Sequence, residues 1–400
     1  MKTIFRSIGL AVLAVGVLAA GSTAAFAQAG CDNPEEIEAL DKKIRENYPK
    51  NTTLKEAIDS GKQFLEKYGA CEAPKEFADW VKAQMPKWEE RYQKYNDAEA
   101  MKKLFARFDA GINSDNPDEI YGAGREILAK PGQADNLNIM VPMAMSGILA
   151  SYKNNPKYAD DSLKLAKTVI AKLKAGAEAT KKNAAGEGTY GALKLEFTKQ
   201  EAIDELAYGT ASITNFVKKD KKAALPLYYE LSQTSPKYKN EPRVYATIGG
   251  YYMEEAGKLG DEIAKMIEKQ KTLATDDEKV KYDAEIKAKV GLFNGYTERA
   301  IDAFSRANKV APSGTPAEKT FKDSLFKQVQ DLYKRRFDKE TGLNDYIAAT
   351  LAKPFPNPTS EVTPINDPEP TETTTTTTTT PAATKPATNG KTAVTTKPKS

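Results

Sequence analysis

The sequence predicts an all-α fold, and three observations support that prediction. Signals that begin helices recur throughout residues 30–352. No segment in that range shows the sustained alternation of apolar and polar residues that is typical of a half-buried strand. A fixed spacing of small, aromatic and helix-ending residues also recurs, and it indicates that the helices come in successive pairs.

The helix-start signals are capping boxes, in which a threonine is followed three residues later by a glutamate. Each of the two side chains bonds to a free backbone N–H in the first turn, so the pattern marks the start of a helix. It occurs at Thr53–Glu56, Thr198–Glu201, Thr275–Glu278 and Thr315–Glu318. The last match also has Pro316 at the first helical position, where proline is well tolerated.

The recurring spacing is clearest in "ERAIDAFSRANKVAP", residues 298–312. Ala300, Phe304 and Ala307 stand at positions 0, 4 and 7, which share one face of a helix, and Pro312 then ends the helix. The same spacing occurs at Ala224, Tyr228, Leu231 and Pro236, at Ala57, Gly61, Phe64 and Gly69, and in part at Ser162, Ala166 and Val169. We expect these segments to be the second helices of successive hairpins.

A first helix of such a hairpin is indicated by "VYATIGGYY". Its spaced residues are Tyr245, Ile248, Gly249 and Tyr252. Here the chain resembles the tetratricopeptide repeat (TPR) family, in which small residues let paired helices approach closely and aromatic residues fill the space to the next pair. The resemblance covers roughly residues 97–312 and departs from the family after Tyr208, where Ala211–Ser212 replaces Leu-Gly. It implies a solenoid of helix pairs with helical caps, and an irregular helical bundle is the alternative.

The signals divide the chain into five parts. These are a signal peptide (1–27), an N-terminal hairpin with a linking helix (28–96), TPR-like repeats (97–312), capping helices (313–352) and a disordered tail (353–400). The predicted helices are a hairpin over 34–69, pairs near 97–131, 136–176, 200–236, 241–272 and 276–312, and closing helices at 316–337 and 343–352. The linking helix carries an apolar stripe of Phe77, Trp80, Val81, Trp88 and Tyr92. We interpret both tryptophans as core residues, with a ligand-stacking platform as the alternative.

The first 27 residues have the pattern of a secretory signal peptide. Lys2 and Arg6 precede an apolar stretch at residues 8–20, and Ala25–Ala27 places small residues around a larger one, so we expect cleavage before Gln28. The apolar stretch is too short to span a bilayer. The sequence therefore predicts a periplasmic or extracellular protein.

The only two cysteines, Cys31 and Cys71, are expected to form a disulfide. Export places them in an oxidising compartment. One precedes the helix predicted at 34–47 and the other follows the second helix of the same hairpin, which returns the chain to its starting point. Lipidation of Cys31 is an alternative, although Gln28 stands where the lipidation signal has a leucine-like residue.

Residues 353–400 differ in composition from the rest of the chain. Proline and threonine dominate, and Thr373–Thr380 is an uninterrupted threonine run. Such a segment has too few large apolar residues to offset its chain entropy, so we expect it to be disordered and dispensable for folding. Its lysines after Glu372 are those of a solvated tail or of a spacer toward a polyanionic envelope surface.

The composition excludes several classes of function. The chain has no histidine and a formal net charge of +4, which falls to about +2 without Lys2 and Arg6. Histidine-based nucleophile systems and most catalytic zinc sites are therefore excluded, and nothing favours a nucleic-acid partner. "GEGTYG" at 186–191 lacks the Gly-Lys-Ser/Thr of a phosphate loop and is interpreted as an ordinary loop. We expect no metal and no cofactor.

The predicted function is that of an exported, non-enzymatic scaffold that binds a protein or peptide of the cell envelope, as the TPR resemblance implies. Tyr245 and Tyr252 should pack inward. Arg243, Ala246, Gly250 and Met253 share another face of the same helix and form the candidate peptide site. The alternatives are a glycan or cell-wall binder that uses surface aromatics and the lysine-bearing tail, and a hydrolase that depends on two carboxylates.

Overall fold

The computed structural model of the protein describes residues 31–367, so the expected signal peptide and residues 368–400 lie outside the described part. Within it the helices are α1 (Pro34–Asn47), α2 (Leu54–Tyr68), α3 (Lys75–Asn113), α4 (Pro117–Leu128), α5 (Leu137–Tyr152), α6 (Ala159–Lys174), α7 (Lys199–Ser212), α8 (Lys221–Thr234), α9 (Pro242–Gln270), α10 (Asp276–Val310), α11 (Pro316–Phe337) and α12 (Leu343–Leu351). The mostly helical character is confirmed. The chain divides into two compact units at Asn240/Glu241.

Helices α1 and α2 form the predicted N-terminal hairpin. The Asn33 side chain accepts a hydrogen bond from the Glu36 N–H at 3.2 Å and so caps α1, which begins at Pro34. Leu40 and Ile44 are buried between the helices. The capping box expected at Thr53 does not form, because the Thr53 hydroxyl donates instead to the Asn47 carbonyl at 3.1 Å.

The hairpin is closed by the Cys31–Cys71 disulfide, which confirms the predicted pairing. The two Cα atoms are 5.8 Å apart and the bond closes a loop with a sequence separation of 40 residues. Cys71 is buried beside Phe64 and Tyr68 in the small core of the hairpin. Because both thiols are used in the bond, Cys31 is not free for lipidation in this structure.

The linking helix is longer than predicted. Helix α3 runs without interruption for 39 residues through Pro86, so the expected boundary at residues 96–97 falls inside a helix. Its N-terminal half packs Val81 and Trp88 against the hairpin, and its C-terminal half packs Phe108 against α4. One helix thus serves both as the predicted linker and as the first helix of the predicted pair at 97–131.

The next two predicted pairs correspond to α5 with α6 and to α7 with α8, but the last two are wrong. The segments 241–272 and 276–312 each form one long helix, α9 and α10, which pack on each other as a single hairpin. Gly257 and Gly260 lie near the middle of α9, within the segment that the sequence predicted as a helix pair. Without a proline, each glycine costs the helix only about 1 kcal/mol relative to alanine, and Lys258 bridges Glu254 and Glu255 across the same turns.

A small antiparallel sheet, which the sequence analysis missed, lies between α6 and α7. Its strands are β1 (Lys181–Lys182), β2 (Gly188–Ala192) and β3 (Leu195–Thr198), in the order β1-β2-β3. "GEGTYG" is therefore mostly strand rather than loop. Tyr190, Ala192 and Leu195 are buried in the core of the first unit. The strands have two to five residues, too few for an alternating pattern to be recognised.

A local arrangement of two stacked tyrosines beside a carboxylate and a lysine, here called a stacked-tyrosine corner, occurs twice in the first unit, each time at the sequence Pro-Lys-Tyr. In the first corner the rings of Tyr121 and Tyr158 are stacked with centroids 3.9 Å apart. The Tyr158 hydroxyl donates to Asp118 at 2.7 Å, and Lys157 pairs with the same carboxylate at 2.7 Å. These bonds, that of Lys157 first, hold the pKa of Asp118 below its ordinary value.

The second corner repeats each of these contacts. Tyr208 and Tyr238 are stacked at 4.4 Å, the Tyr238 hydroxyl donates to Glu205 at 3.0 Å, and Lys237 pairs with Glu205. In both corners the acidic residue stands three positions before the tyrosine of the helix, which a glycine follows. The corner relates α4 and α5 to α7 and α8 as two copies of one local arrangement.

The second unit also contains an ordered segment where the sequence predicted a disordered tail. Residues 353–367, here called the strap, lie along α10, and Phe355 and Val362 are buried. Arg336, whose side chain is 3 % exposed, pairs at 2.9 Å with Glu298 and with Asp367 of the strap. The prediction was wrong for these residues because their few apolar side chains are spaced to fit one surface, which composition does not reveal.

We predict that replacing Cys31 and Cys71 by serine destabilises the N-terminal hairpin selectively. Closing a loop of this length lowers the entropy of the unfolded chain, which raises the free energy of unfolding by about 4 kcal/mol in the chain-entropy model. Hydrogen exchange should speed up in α1 and α2 and remain unchanged in α7. A reducing agent should do the same to the natural protein and nothing further to the double variant, and equal protection in both proteins would contradict the prediction.

We predict that Tyr158→Phe and Tyr238→Phe destabilise the first unit by similar amounts, about 1 kcal/mol each. Each change removes one hydroxyl that donates to a carboxylate and leaves the ring stack in place. The two corners share no residue, so the effects should add in the double variant. Chemical denaturation measures the loss, and a neutral result at either position would show that the corner does not contribute as the contacts suggest.

We also predict that the chain can be shortened to Asp367 without loss of thermal stability, whereas shortening it to Ala352 lowers that stability. A protein ending at Asp367 should melt at the temperature of the full chain, whereas one ending at Ala352 loses both buried strap residues and should melt several degrees lower, since each buried apolar side chain contributes about 1.5–3 kcal/mol. Equal melting temperatures for the two shortened proteins would mean that the strap does not stabilise the second unit.

Candidate functional site

An open groove on the first unit is the best candidate for a binding site. Helices α6 and α8 form its two walls and α7 its floor, and its volume is about 930 Å³. The apolar side chains that line it are Leu163, Ile170, Ala171, Ile203, Ala207, Leu227 and Leu231. Leu231 is buried, Ala171 is exposed and the others are half-buried, so the lining offers contact area to a ligand. We call this feature the α6–α8 groove.

The groove exists because α6 and α7 each have a largely apolar outer stripe beside the buried one, and α8 adds Leu227. On α7, Ala202, Leu206 and Gly209 are buried in the core. Ile203, Ala207 and Thr210 follow each of them by one position, which turns them by about 100° toward the groove. Helix α6 has the same arrangement, with Ala166 inside and Leu163 and Ile170 outside. Leu163, Ile170 and Ile203 of the outer stripes pack against the core but remain half-buried, so part of each side chain is left to line the groove.

The edges of the groove carry cations. Lys174 of α6 pairs with Glu230 of α8 at 3.1 Å and closes one end. Lys167 and Lys199 also line the groove and have no ion-pair partner among residues 31–367. Asp204 lies beneath the surface, 5 % exposed, where it accepts hydrogen bonds from Gln200 and Ser235. The exposed charge available to a ligand is therefore positive.

The sequence-predicted site lies on α9 in the second unit. Tyr245, Ile248 and Tyr252 are buried, as expected, and Gly249 packs on the ring of Phe304. The opposite set does share one face. Arg243 is exposed, and Ala246, Gly250 and Met253 are half-buried. A Cβ atom built on Gly250 would meet no atom within 4 Å, so the face is open and has no second wall at that point.

The tryptophans of α3 lie in an aromatic cluster. Trp88 is 3 % exposed and stacks on Tyr48 at a centroid distance of 5.5 Å. Trp80 stacks on Phe77 at 5.5 Å, and the Arg45 guanidinium lies over the Trp80 ring, also at 5.5 Å. Trp88 is therefore a core residue. Trp80 is half-buried and lines an open cleft together with Arg45 and Phe77, which cover part of its ring.

A second, more polar cleft of about 700 Å³ lies near the start of α5. Its polar groups are bonded to one another. Lys172 pairs with Asp135 at 3.0 Å, the Asn138 amide donates to Thr180 at 2.8 Å, and the Tyr190 hydroxyl donates to the Ala177 carbonyl at 2.6 Å. Few groups in this cleft remain available to bind a ligand, so it is a weaker candidate than the α6–α8 groove.

Comparison of the chain with known proteins gave no match to a protein-family model, to a curated protein or to a solved structure. No helix within residues 31–367 combines the length and the apolar character needed to span a membrane. In the same range no three His, Cys, Asp or Glu side chains converge in the way that a metal site requires.

Sequence reasoning did not find the α6–α8 groove. The residues that recur at the helix-pair spacing are those of the inner stripes. The available signal was a second apolar set displaced by one position, as in Leu163 and Ile170 beside Ser162 and Val169. That signal indicates a helix with more apolar surface than one neighbour can cover.

Proposed function

We propose that the protein is an exported, non-enzymatic scaffold that binds a segment of a partner protein in the α6–α8 groove. The observation that carries the proposal is the set of half-buried apolar side chains that three helices direct into one open groove. Contiguous exposed apolar surface with a polar edge is typical of protein interaction sites. The resemblance to TPR proteins supports the same class of function.

The proposed ligand is an amphipathic helix with acidic residues beside its apolar face. The groove is lined by helix faces, whose backbone groups are already bonded within the helices and are not available to a peptide. A buried extended peptide would leave its own N–H and C=O groups without partners, whereas a helix bonds them internally. Acidic side chains on the ligand would pair with Lys167 and Lys199 at the edges.

The proposed location is the periplasm or the extracellular space. The Cys31–Cys71 disulfide supports it, because such bonds persist in oxidising compartments. The pattern of Lys2, Arg6 and the apolar stretch after them supports it independently, from the sequence. The absence of histidine excludes histidine-based nucleophile systems, and we propose binding rather than catalysis because the lining of the groove is mainly apolar.

We predict that Ile203→Asp weakens binding of helical peptides at least tenfold, because it places an unpaired charge on the apolar floor. A displayed peptide library is selected on the natural protein alone, and the affinity of the enriched peptides is then measured for both proteins. The enriched peptides should have apolar residues at helical spacing and adjacent acids. Their affinity should also fall with rising salt and in the Lys167→Gln, Lys199→Gln double variant.

The matched control is Leu193→Asp, which changes an apolar residue of the same unit that is 47 % exposed and lies outside the groove. It should leave peptide affinity unchanged. The variant with Arg243→Glu and Gly250→Leu tests the sequence-predicted face of α9 in the same assay. Peptides that bind the Ile203→Asp protein as tightly as the natural one would refute a site in the groove, and loss of binding only in the α9 variant would assign it there.

A further inference from the structure

The strap is held on α10 by contacts of the kind that proteins use to bind peptides. It runs antiparallel to the helix, since Phe355 lies at Arg306, Ser360 at Arg299 and Asn366 at Gly291. We propose that this face of α10 is a binding site for extended, proline-rich peptides, which the chain's own residues 353–367 occupy. The face is here called the α10 track and carries Gly291, Asn294, Gly295, Arg299 and Arg306. The site is independent of the α6–α8 groove.

The floor of the track is made of glycine. A Cβ atom at Gly295 would overlap the Thr363 carbonyl oxygen, and one at Gly291 would overlap the side-chain oxygen of Asn366. Both glycines lie inside a helix, where alanine is more stable by about 1 kcal/mol. Their presence allows the main chain of the peptide to lie directly on the helix.

The main chain of the strap is bound by side chains of α10. Arg299 donates to the carbonyl oxygens of Ser360 and Glu361, at 3.0 and 2.7 Å. The Asn294 amide donates to the Ile365 carbonyl at 3.0 Å, and the Ile365 N–H donates to the Gly291 carbonyl at 2.8 Å. Contacts to peptide carbonyls do not depend on the peptide's side chains. They provide the partners that an extended peptide needs and that a helical groove does not offer.

Two anchors supply the side-chain selectivity. The Phe355 ring packs edge-on against Tyr245 with centroids 5.4 Å apart, and the Arg306 guanidinium lies over it at 5.1 Å. Val362, seven residues later, is 7 % exposed and packs at Gly295. Carbonyl contacts combined with anchor pockets are the division of roles found in receptors for extended peptides.

The sequence of the strap suits such a ligand. Its four prolines, Pro354, Pro356, Pro358 and Pro364, restrict the backbone to extended conformations and lower the entropy lost on binding. Around the anchors the bound groups are polar and would be hydrated again if the strap left. The occupied and open states are therefore both compatible with a folded α10.

Covalent linkage keeps the site filled. A tethered ligand has an effective concentration of the order of 1 mM, so an intrinsic dissociation constant of about 10 μM would leave only about 1 % of the molecules open. A free peptide of the same sequence at micromolar concentration would rarely displace the strap. A variant whose own strap is weakened should bind that peptide readily.

The test uses the full chain with Phe355→Ser and Val362→Asp, and a fluorescent synthetic peptide of residues 353–367 as the probe. Fluorescence anisotropy should show binding to this variant at least tenfold tighter than to the natural protein, whose track is filled. Adding Gly295→Leu to the variant, or Val362→Asp to the peptide, should each weaken binding at least tenfold. The Ile203→Asp change in the first unit should have no effect, which separates this site from the groove.

Two results would overturn the proposal. One is a folded strap-weakened variant that does not bind the peptide, since the strap would then be ordinary covalent packing. The other is equal binding by the natural protein and the variant, which would place the peptide elsewhere. If the variant is unfolded at the assay temperature, its melting temperature should rise with peptide concentration, and no rise would likewise reject the site.

Discussion

Close approach between neighbouring helices is the constraint on which the rest of the structure depends. At several crossings a residue without a side chain permits the contact. A Cβ atom at Gly147 would lie 2.7 Å from the Tyr121 hydroxyl and would overlap Ser162, and one at Gly124 would lie 2.5 Å from the sulfur of Met143. Interiors packed this closely do not accommodate an added methyl group without displacement. The inner stripes of the helices are thereby fixed.

Packing of the inner stripe does not determine which residue types occupy the adjacent stripe of the same helix. In α6 and α7 the adjacent stripes are largely apolar and, with Leu227 of α8, line a groove, whereas in α1 the exposed positions carry charged residues such as Lys42 and Glu46. The stacked-tyrosine corners contribute to the groove by fixing where one helix pair ends. Because Tyr238 is tied to Tyr208 and Glu205, the chain leaving α8 is held against α7, and the floor and one wall of the groove keep their spacing.

The two proposed sites differ in which part of a peptide they would bind. The α6–α8 groove presents apolar side chains and lysines, which suits a partner whose backbone is already bonded within a helix. The α10 track presents an arginine, an amide and a bare helix surface, which suits a backbone that still needs partners. Two peptides of similar composition therefore differ as ligands according to whether their own N–H and C=O groups are already hydrogen-bonded. A scaffold with both sites could hold one helical and one extended segment.

The sequence allowed prediction wherever a signal acted over a few residues. The start of α1 at Pro34 and the capping boxes of α7, α10 and α11 depend on such local chemistry. The Cys31–Cys71 disulfide joins residues 40 apart and was predictable for another reason, since these are the only two cysteines and they flank one predicted hairpin. The errors arose where a distant contact decided the outcome.

The segment 241–272 was predicted as a helix pair, yet it forms one helix, α9, which packs on α10. Gly291 and Gly295 had no visible role because their partners lie about 70 residues further along the chain. The α6–α8 groove was missed for the same reason, since only the assembled helices show which stripe remains uncovered.

The unbroken α3 helix has a mechanical consequence. Its 39 residues span about 58 Å, and its two ends are packed in separate cores, one with the disulfide hairpin and the other with α4. The residue count between those ends therefore sets the angular phase of the hairpin about the helix axis. Inserting or deleting one residue in α3 would rotate the hairpin by about 100° about the helix axis and shift it by about 1.5 Å along that axis. Only a change in length close to a whole number of helical turns would keep the packed faces at both ends of α3 in place.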